Sequence, residues 1–327
     1  MVAAGSASRP LIIGTRGSPL ALAQTNLIST SLLARHADLE IQIVCITTKG
    51  DVLRDRPLAS IGGRGVFVGE IETALRSREI DLAVHSAKDL PSRLASDMLI
   101  AAFPPRSDAR DVLVSRSGLL DELPPGARLG TSSPRRACQI RALRWDLDVV
   151  EVRGNVDTRL RKVQLGEYDA LVLAAAGLIR LGREIEATQW LNTEQMISAV
   201  GQGALALETR ADNDRVTALA SELDDPLTRI AVTAERAFLA RLGAGCTAAA
   251  GAHAELVAHN EPGVGSNNSL RITGMIGSVE GRLVRGVQRG PLEHAEEIGL
   301  RLAEDLLARG GAEFLNDAAN GEAILEA

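Results

Sequence analysis

The side chains best suited to chemistry sit in a few short stretches. His85-Ser86-Ala87-Lys88-Asp89-Leu90 sets an ammonium beside a carboxylate just past the apolar run Leu82-Ala83-Val84. Gly14-Thr15-Arg16-Gly17-Ser18-Pro19 and Gly130-Thr131-Ser132-Ser133-Pro134-Arg135-Arg136 each join a Ser-Pro helix start to arginine. Serine caps a helix and proline fits its first turn, so each stretch marks an amino terminus whose free N–H groups and partial positive charge accept anions. Arg153-Gly154-Asn155-Val156-Asp157-Thr158-Arg159 repeats the theme, with Arg153 past a strand and Arg159 near the next helix start. Gly243-Ala244-Gly245-Cys246 puts a thiol on a glycine-rich loop, but no histidine neighbours it to form a cysteine–histidine nucleophile pair. Gly62-Gly63-Arg64-Gly65 matches no P-loop, and no G-x-G-x-x-G follows the first strand, so it reads as a lid carrying Arg64 over a cleft.

The elements that must position these groups occur twice. Leu11-Ile12-Ile13 leads into the first Ser-Pro helix, patterned through Ala34, and Arg128-Leu129 leads into the second, patterned through Arg144. Strand-like Ile41 to Ile46 corresponds to Leu147 to Val152, and a helix over Phe67 to Arg76 to one over Val156 to Leu165. Glu79 to Val84 then matches Glu167 to Val172 as a strand leaving a helix. Strands alternating with helices predict parallel β-α-β layers in two α/β domains of one fold, facing each other across a cleft. Where the first copy has Lys88 and Asp89, the second has Ala176 and Gly177, so the ionisable pair is chemistry added to one half of a shared scaffold. Closely spaced glycines in Val200-Gly201-Gln202-Gly203-Ala204 suit a crossover or hinge. A third segment opens near Asp224-Asp225-Pro226 with a helix to Leu242. Short runs over Arg271 to Ile276 and Leu283 to Gln288 and a helix over about Leu292 to Arg309 follow, predicting a small α+β domain.

Composition narrows the function. A chain of 327 residues, 45% hydrophobic and 24% charged, reads as a multidomain globular enzyme with no membrane span and no secretory signal, hence cytoplasmic. Cys45, Cys138 and Cys246 form no C-x-x-C, and the histidines show no metal-ligand spacing; two of the cysteines are expected to be buried and at most one chemical. A net charge of −6 and 2% aromatic residues argue against nucleic acid. Only Lys49, Lys88 and Lys162 are lysines, so the cations are almost all arginine forks, fitted to carboxylates or phosphates of a small molecule.

In order along the chain, Gly14 to Ala21, Val84-His85-Ser86-Ala87-Lys88-Asp89-Leu90-Pro91, Gly130 to Arg136, Arg153 to Val156, Ala199 to Ala204 and Gly245-Cys246 resemble the porphobilinogen deaminase family over about Leu11 to Glu313. The resemblance implies an α/β fold of three domains: two lobes like type-2 periplasmic binding proteins and a small C-terminal α+β domain. The first lobe takes residues 1–104 plus 203–222, the second 105–202 and the last 223–327, with crossings near Pro105 and Gln202. It implies a dipyrromethane cofactor bound as a thioether to Cys246, with Asp89 as the catalytic carboxylate and a further cofactor contact. Lys88, Ser133, Arg135 and Arg136 would hold the cofactor, while Arg16, Ser18, Ser86, Arg153, Arg159 and, from the lid, Arg64 would hold substrate. Four porphobilinogen molecules would join head to tail with loss of ammonia to give hydroxymethylbilane, in a monomer needing no metal. A carboxylate near pyrrole N–H groups can steady the cation that develops and shuttle protons, and Lys88 would help keep Asp89 ionised.

The chain departs from the family pattern at Thr247-Ala248-Ala249-Ala250, where a proline is usual, and at Gly69, which replaces a basic residue of some members and is given no role. A non-catalytic two-lobed binding protein or regulator would explain the duplication and the anion sites, but not the Lys88-Asp89 pair in one copy only. A nucleotide-dependent transferase lacks its phosphate motif.

Overall fold

A computed structural model describes residues 9–48, 50, 68–243, 249–258 and 268–315. Strand β1 (Leu11–Arg16) buries Leu11 and Ile13 and runs straight into helix α1 (Pro19–Leu33). Ser18 caps that helix by accepting from the Ala21 N–H at 3.2 Å. Strand β2 (Ile41–Ile46) pairs parallel to β1. Helix α2 (Gly69–Arg76) leads to β3 (Leu82–Ser86), parallel to β1 on its other side, and a 3-10 turn, Ala87–Asp89, follows at once. Strand β4 (Met98–Ala102) completes this stretch.

The second unit repeats the pattern after β5 (Asp111–Ser115). Strand β6 (Arg128–Gly130) enters helix α3 (Pro134–Leu143), capped by Ser133. Strand β7 (Asp148–Val150), helix α4 (Val156–Gln164), β8 (Ala170–Ala174), helix α5 (Ala175–Arg180) and β9 (Gln189–Leu191) follow. Strand β10 (Leu205–Arg210) then returns to the first sheet. The two sheets have matching orders, β2-β1-β3-β10-β4 and β7-β6-β8-β5-β9. In each, three parallel strands are joined by an antiparallel one, β10 or β5, from the neighbourhood of a crossover. The repeated strands are parallel, as the β-α-β pattern predicts, and each crossover adds an antiparallel strand that makes the whole sheet mixed. Helix α6 (Asp214–Ser221) packs Val216 and Ala220 into the first core.

Helix α7 (Pro226–Leu242), capped by Asp225, opens the C-terminal unit. Its antiparallel sheet, β11 (Ala249–Ala258), β12 (Asn268–Gly277) and β13 (Leu283–Pro291), is covered by α7 and by α8 (Ala295–Leu306) around Phe238, Ile272 and Leu302. The fold is thus α/β, with two sheet-based lobes and a small C-terminal α+β domain. Strand β11 escapes the sequence pattern because Ala249-Ala250-Gly251-Ala252 offers small residues in place of polar–apolar alternation. Strands β3 and β8 also start about three residues later than the pattern suggests. Glu79 and Ile80 still donate to Ala74 O, closing α2, and Gly166 turns with φ 80° before β8.

The two crossovers lie side by side. Ser107 N donates to Gly203 O at 3.1 Å and Arg106 Nε to Gln202 O at 2.8 Å. Fully buried Glu235 on α7 locks this seam to the C-terminal domain, accepting from Arg106 Nη1 at 2.7 Å, Gly201 N at 2.7 Å and Ala254 N at 2.8 Å. Gly203 has φ 87°, and a Cβ there would sit 2.4 Å from Ser107 O. Gly203→Ala is therefore expected to lower stability by about 1–3 kcal/mol from backbone strain alone. A melting temperature unchanged from wild type in a thermal scan would contradict that contact.

Candidate active site

The ends of β1 and β3 and the start of α1 enclose one cavity. It is lined by Arg16, Ser18, Leu20, Ala21, Gln24, Val68, His85, Ser86 and Asp89. Parallel strands end here and a helix begins, which is where α/β sheets hold ligands. The Ser86 hydroxyl is 3.0 Å from Gln24 Nε2, tying β3 to α1. Asp89 is half-buried and accepts no hydrogen bond from any described residue. Its turn is backed by Gly201, whose φ of 70° disfavours a side chain and where an added Cβ would press within 3.1 Å of the Ala87 backbone.

Lys88 lies within electrostatic reach of Arg136, Asp111 and Arg135 of the second lobe. Burial, opposed by Asp89 and reinforced by Arg136, pushes its ammonium down to about 8, yet the side chain keeps some contact with water. A group crowded by protein but still wetted is one standing in a crevice. Across from it, fully buried Asp111 accepts from Arg135 Nη1 at 2.8 Å and from Arg136 Nη2 at 2.7 Å. Burial would raise its pKa, but the two guanidiniums outweigh burial and hold it well below the usual carboxylate range. Arg135 also donates to Ile197 O, Arg136 donates to Val172 O at 3.1 Å, and Gln202 Nε2 donates to Asp111 Oδ1 at 2.9 Å. Arg135 and Arg136 are thus committed in large part to the second lobe's own framework. Two cations on one carboxylate still leave a positive excess facing Lys88.

Arg159 on α4 donates to Ser132 Oγ at 3.2 Å and Gly154 O at 2.8 Å, and burial pushes it down to about 10, aided by Arg136 and Arg153. Arg153 pairs with Glu151. The Ser133 hydroxyl caps α3, at a long 3.5 Å from the Arg136 N–H. Arg16, Ser18, Ser86 and Asp89 therefore share the first lobe's cavity, while Ser133, Arg135, Arg136, Arg153 and Arg159 belong to the second lobe. Lys88 links the two groups electrostatically. Leu20 of α1 and Gly177 of α5 approach each other, so the lobes meet beside the cavity. Cys246 and Arg64 lie outside the described residues. Cys138 is buried with its thiol pushed up to about 11 by burial, whereas Cys45, expected to be one of two buried cysteines or the chemical one, is exposed on edge strand β2.

Several site residues carried no signal in the sequence. Asp111, Glu208 and Gln24 look like ordinary strand and helix residues until the fold gathers them. Arg180, at the end of α5, is pushed down to about 10 by burial and donates to Gly203 O at 2.6 Å. Among the described residues no group of histidines, cysteines and acids could hold a metal, and no helix is long and apolar enough to cross a membrane.

Known proteins share this sequence along most of its length. The family model described as "Porphobilinogen deaminase, dipyromethane cofactor binding domain" matches residues 11–218, and "Porphobilinogen deaminase, C-terminal domain" matches 229–308. The porphobilinogen deaminase of Roseiflexus sp. is 53% identical over 306 residues, covering 93% of this chain and 98% of that protein. That of Syntrophus aciditrophicus is 47% identical over 314 residues, covering 95% and 99%. This chain belongs to the porphobilinogen deaminase family. Among solved structures, an arginine-specific periplasmic binding protein of Salmonella typhimurium overlaps 68% of this chain and 94% of its own, at 12% identity and a TM-score of 0.38. A likeness that slight carries no argument, and the two-lobed description rests on the strand orders.

The family's cofactor suits the residues present. A dipyrromethane carries carboxylate side chains and pyrrole N–H groups, so it needs fixed cations and an acceptor. Lys88, Arg159 and Arg180 are all held below their ordinary pKa by burial. Cations crowded by burial are a setting that bound carboxylates relieve.

Proposed function

We propose that this chain is a hydroxymethylbilane synthase, joining four porphobilinogen molecules head to tail with release of ammonia. The observation that carries the reading is that Asp89 lines one cavity with Arg16, Ser18 and the start of α1 in a member of this family. Arg16, Ser18 and Ser86, with Arg153, Arg159 and Arg64, take the substrate's acetate and propionate groups. Lys88, Ser133, Arg135 and Arg136 hold the cofactor, which is attached to Cys246. When bound, the dipyrromethane supplies the primer ring from which the chain grows. Asp89 accepts from pyrrole N–H groups, steadies positive charge as the substrate's amine departs, and holds the proton at its carboxylate. The first lobe is residues 1–104 plus 203–222, the second 105–202 and the C-terminal domain 223–327. The enzyme acts as a cytoplasmic monomer without nucleic acid.

Purified protein supplied with porphobilinogen is expected to release one ammonia per porphobilinogen and one hydroxymethylbilane per four. Protein that leaves porphobilinogen unconsumed would refute the reading. A pH profile probes the cationic half of the site. Because the Lys88 ammonium lies near 8, raising the pH through that value neutralises it and removes a grip on carboxylate. The kcat/KM for porphobilinogen should therefore fall above about pH 8 in wild type, and Lys88→Arg should move that fall to higher pH because a guanidinium stays charged. An identical alkaline limb in both proteins would exclude Lys88 as its source.

A further inference from the structure

Just before the turn that carries Asp89, strands β3 and β10 bring together a pair that the reaction as described leaves unused. His85 Nε2 lies 2.9 Å from Glu208 Oε2; the histidine is 6% exposed and the glutamate fully buried. The other carboxylate oxygen, Oε1, is sealed with no hydrogen-bond partner among the described residues. Leaving such an acceptor unmatched is destabilising, a cost that simple packing would avoid with an apolar pair. Arg236 on α7 and Glu72 on α2 both feel the Glu208 charge. An ionised carboxylate can only accept, so Nε2 carries a proton, and in the neutral ring the lone pair then lies on Nδ1. Nδ1 takes no hydrogen bond from a described residue and is not among the sealed atoms, and the ring lines the same cavity as Asp89, Arg16 and Ser18.

We propose that His85, fixed by Glu208, is a substrate-positioning residue whose Nδ1 accepts the ring N–H of the incoming pyrrole beside Asp89. The inference rests on porphobilinogen being the substrate. Arg16 and the start of α1 draw the ring's carboxylates to one side, which leaves its N–H edge for the acceptors. A neutral imidazole is suited to this place. A second carboxylate next to Asp89 would repel the substrate's acid groups, whereas Nδ1 selects for N–H without adding charge. A ring that lacks the N–H would leave Nδ1 unmatched and be rejected.

Two measurements test this on the intact protein. Nitrogen-15 spectra of the wild-type histidines should show His85 neutral, protonated at Nε2 and bare at Nδ1; a proton on Nδ1 overturns the proposal. The double variant His85→Phe with Glu208→Leu removes both members of the hydrogen bond for groups of similar shape, so neither is left without the other. Its KM for porphobilinogen should rise about tenfold, the worth of one hydrogen bond of this kind, while kcat stays within about threefold. An unchanged KM, or a loss confined to kcat, sinks the inference. Should the double variant not fold, the wild-type spectrum decides alone. Wild-type protein inert toward porphobilinogen would instead sink the underlying reading, so the two failures are separable.

Discussion

Asp89→Ala is expected to cut hydroxymethylbilane formation by about 10²- to 10⁴-fold, the range for loss of a positioned proton-transfer group, while the protein stays folded. The folded state should tolerate the change because Asp89 is half-buried and accepts no hydrogen bond from a described residue, so truncation orphans no donor. Its electrostatic partner, Lys88, keeps some contact with water in the crevice. Asp89→Glu keeps the charge but moves it by about an ångström, a displacement that can cost about 10²-fold, so a trace of activity should remain. Steady-state assays beside a thermal melt check both variants. Normal product formation by Asp89→Ala would remove it from the chemistry.

Asp111→Asn should do the opposite, damaging the fold first. The wild-type carboxylate is fully buried between Arg135 and Arg136, themselves 3% and 7% exposed. Neutralising it leaves two guanidiniums in a dry interior without their counter-charge, for a loss of about 3–5 kcal/mol. The same pair sets an acid dependence. The folded-state pKa of Asp111 is depressed below the ordinary carboxylate value of about 3.9, so its stabilisation is complete above that value and is lost as pH falls through the lower, folded pKa. Denaturant melts at neutral pH should show the full loss in Asp111→Asn. The gap between variant and wild type should narrow only in strong acid. A variant as stable as wild type at pH 7 would mean that the Arg135 and Arg136 charges are balanced elsewhere.

These two aspartates mark what was legible in the sequence. Asp89 could be found because duplication exposes it: strand, turn and flanking leucine recur in the second copy as Leu173 to Leu178, with the charges missing. The Ser-Pro starts were readable because capping is local chemistry, and Ser18 and Ser133 both accept from the N–H three residues on. Asp111 was not legible. It sits in Arg110-Asp111-Val112, and its partners are 24 and 25 residues away, brought together only when β5 inserts antiparallel beside β8. Arg135 and Arg136 look like free anion forks in the sequence because nothing local reveals the carboxylate they share. Glu208 was hidden in the same way, since β10 joins β3 across 123 residues of chain. Periodicity also finds the parallel repeats more readily than the antiparallel strands β5 and β10, whose partners lie far along the chain.

The central claim is that this chain carries a polypyrrole primer on one thiol. Intact-mass measurement of the purified protein reads it directly. The wild type should be heavier than its sequence by two pyrrole units, and Cys246→Ser should have the bare mass and no deaminase activity. A wild-type protein that makes hydroxymethylbilane at its unmodified mass would contradict the account.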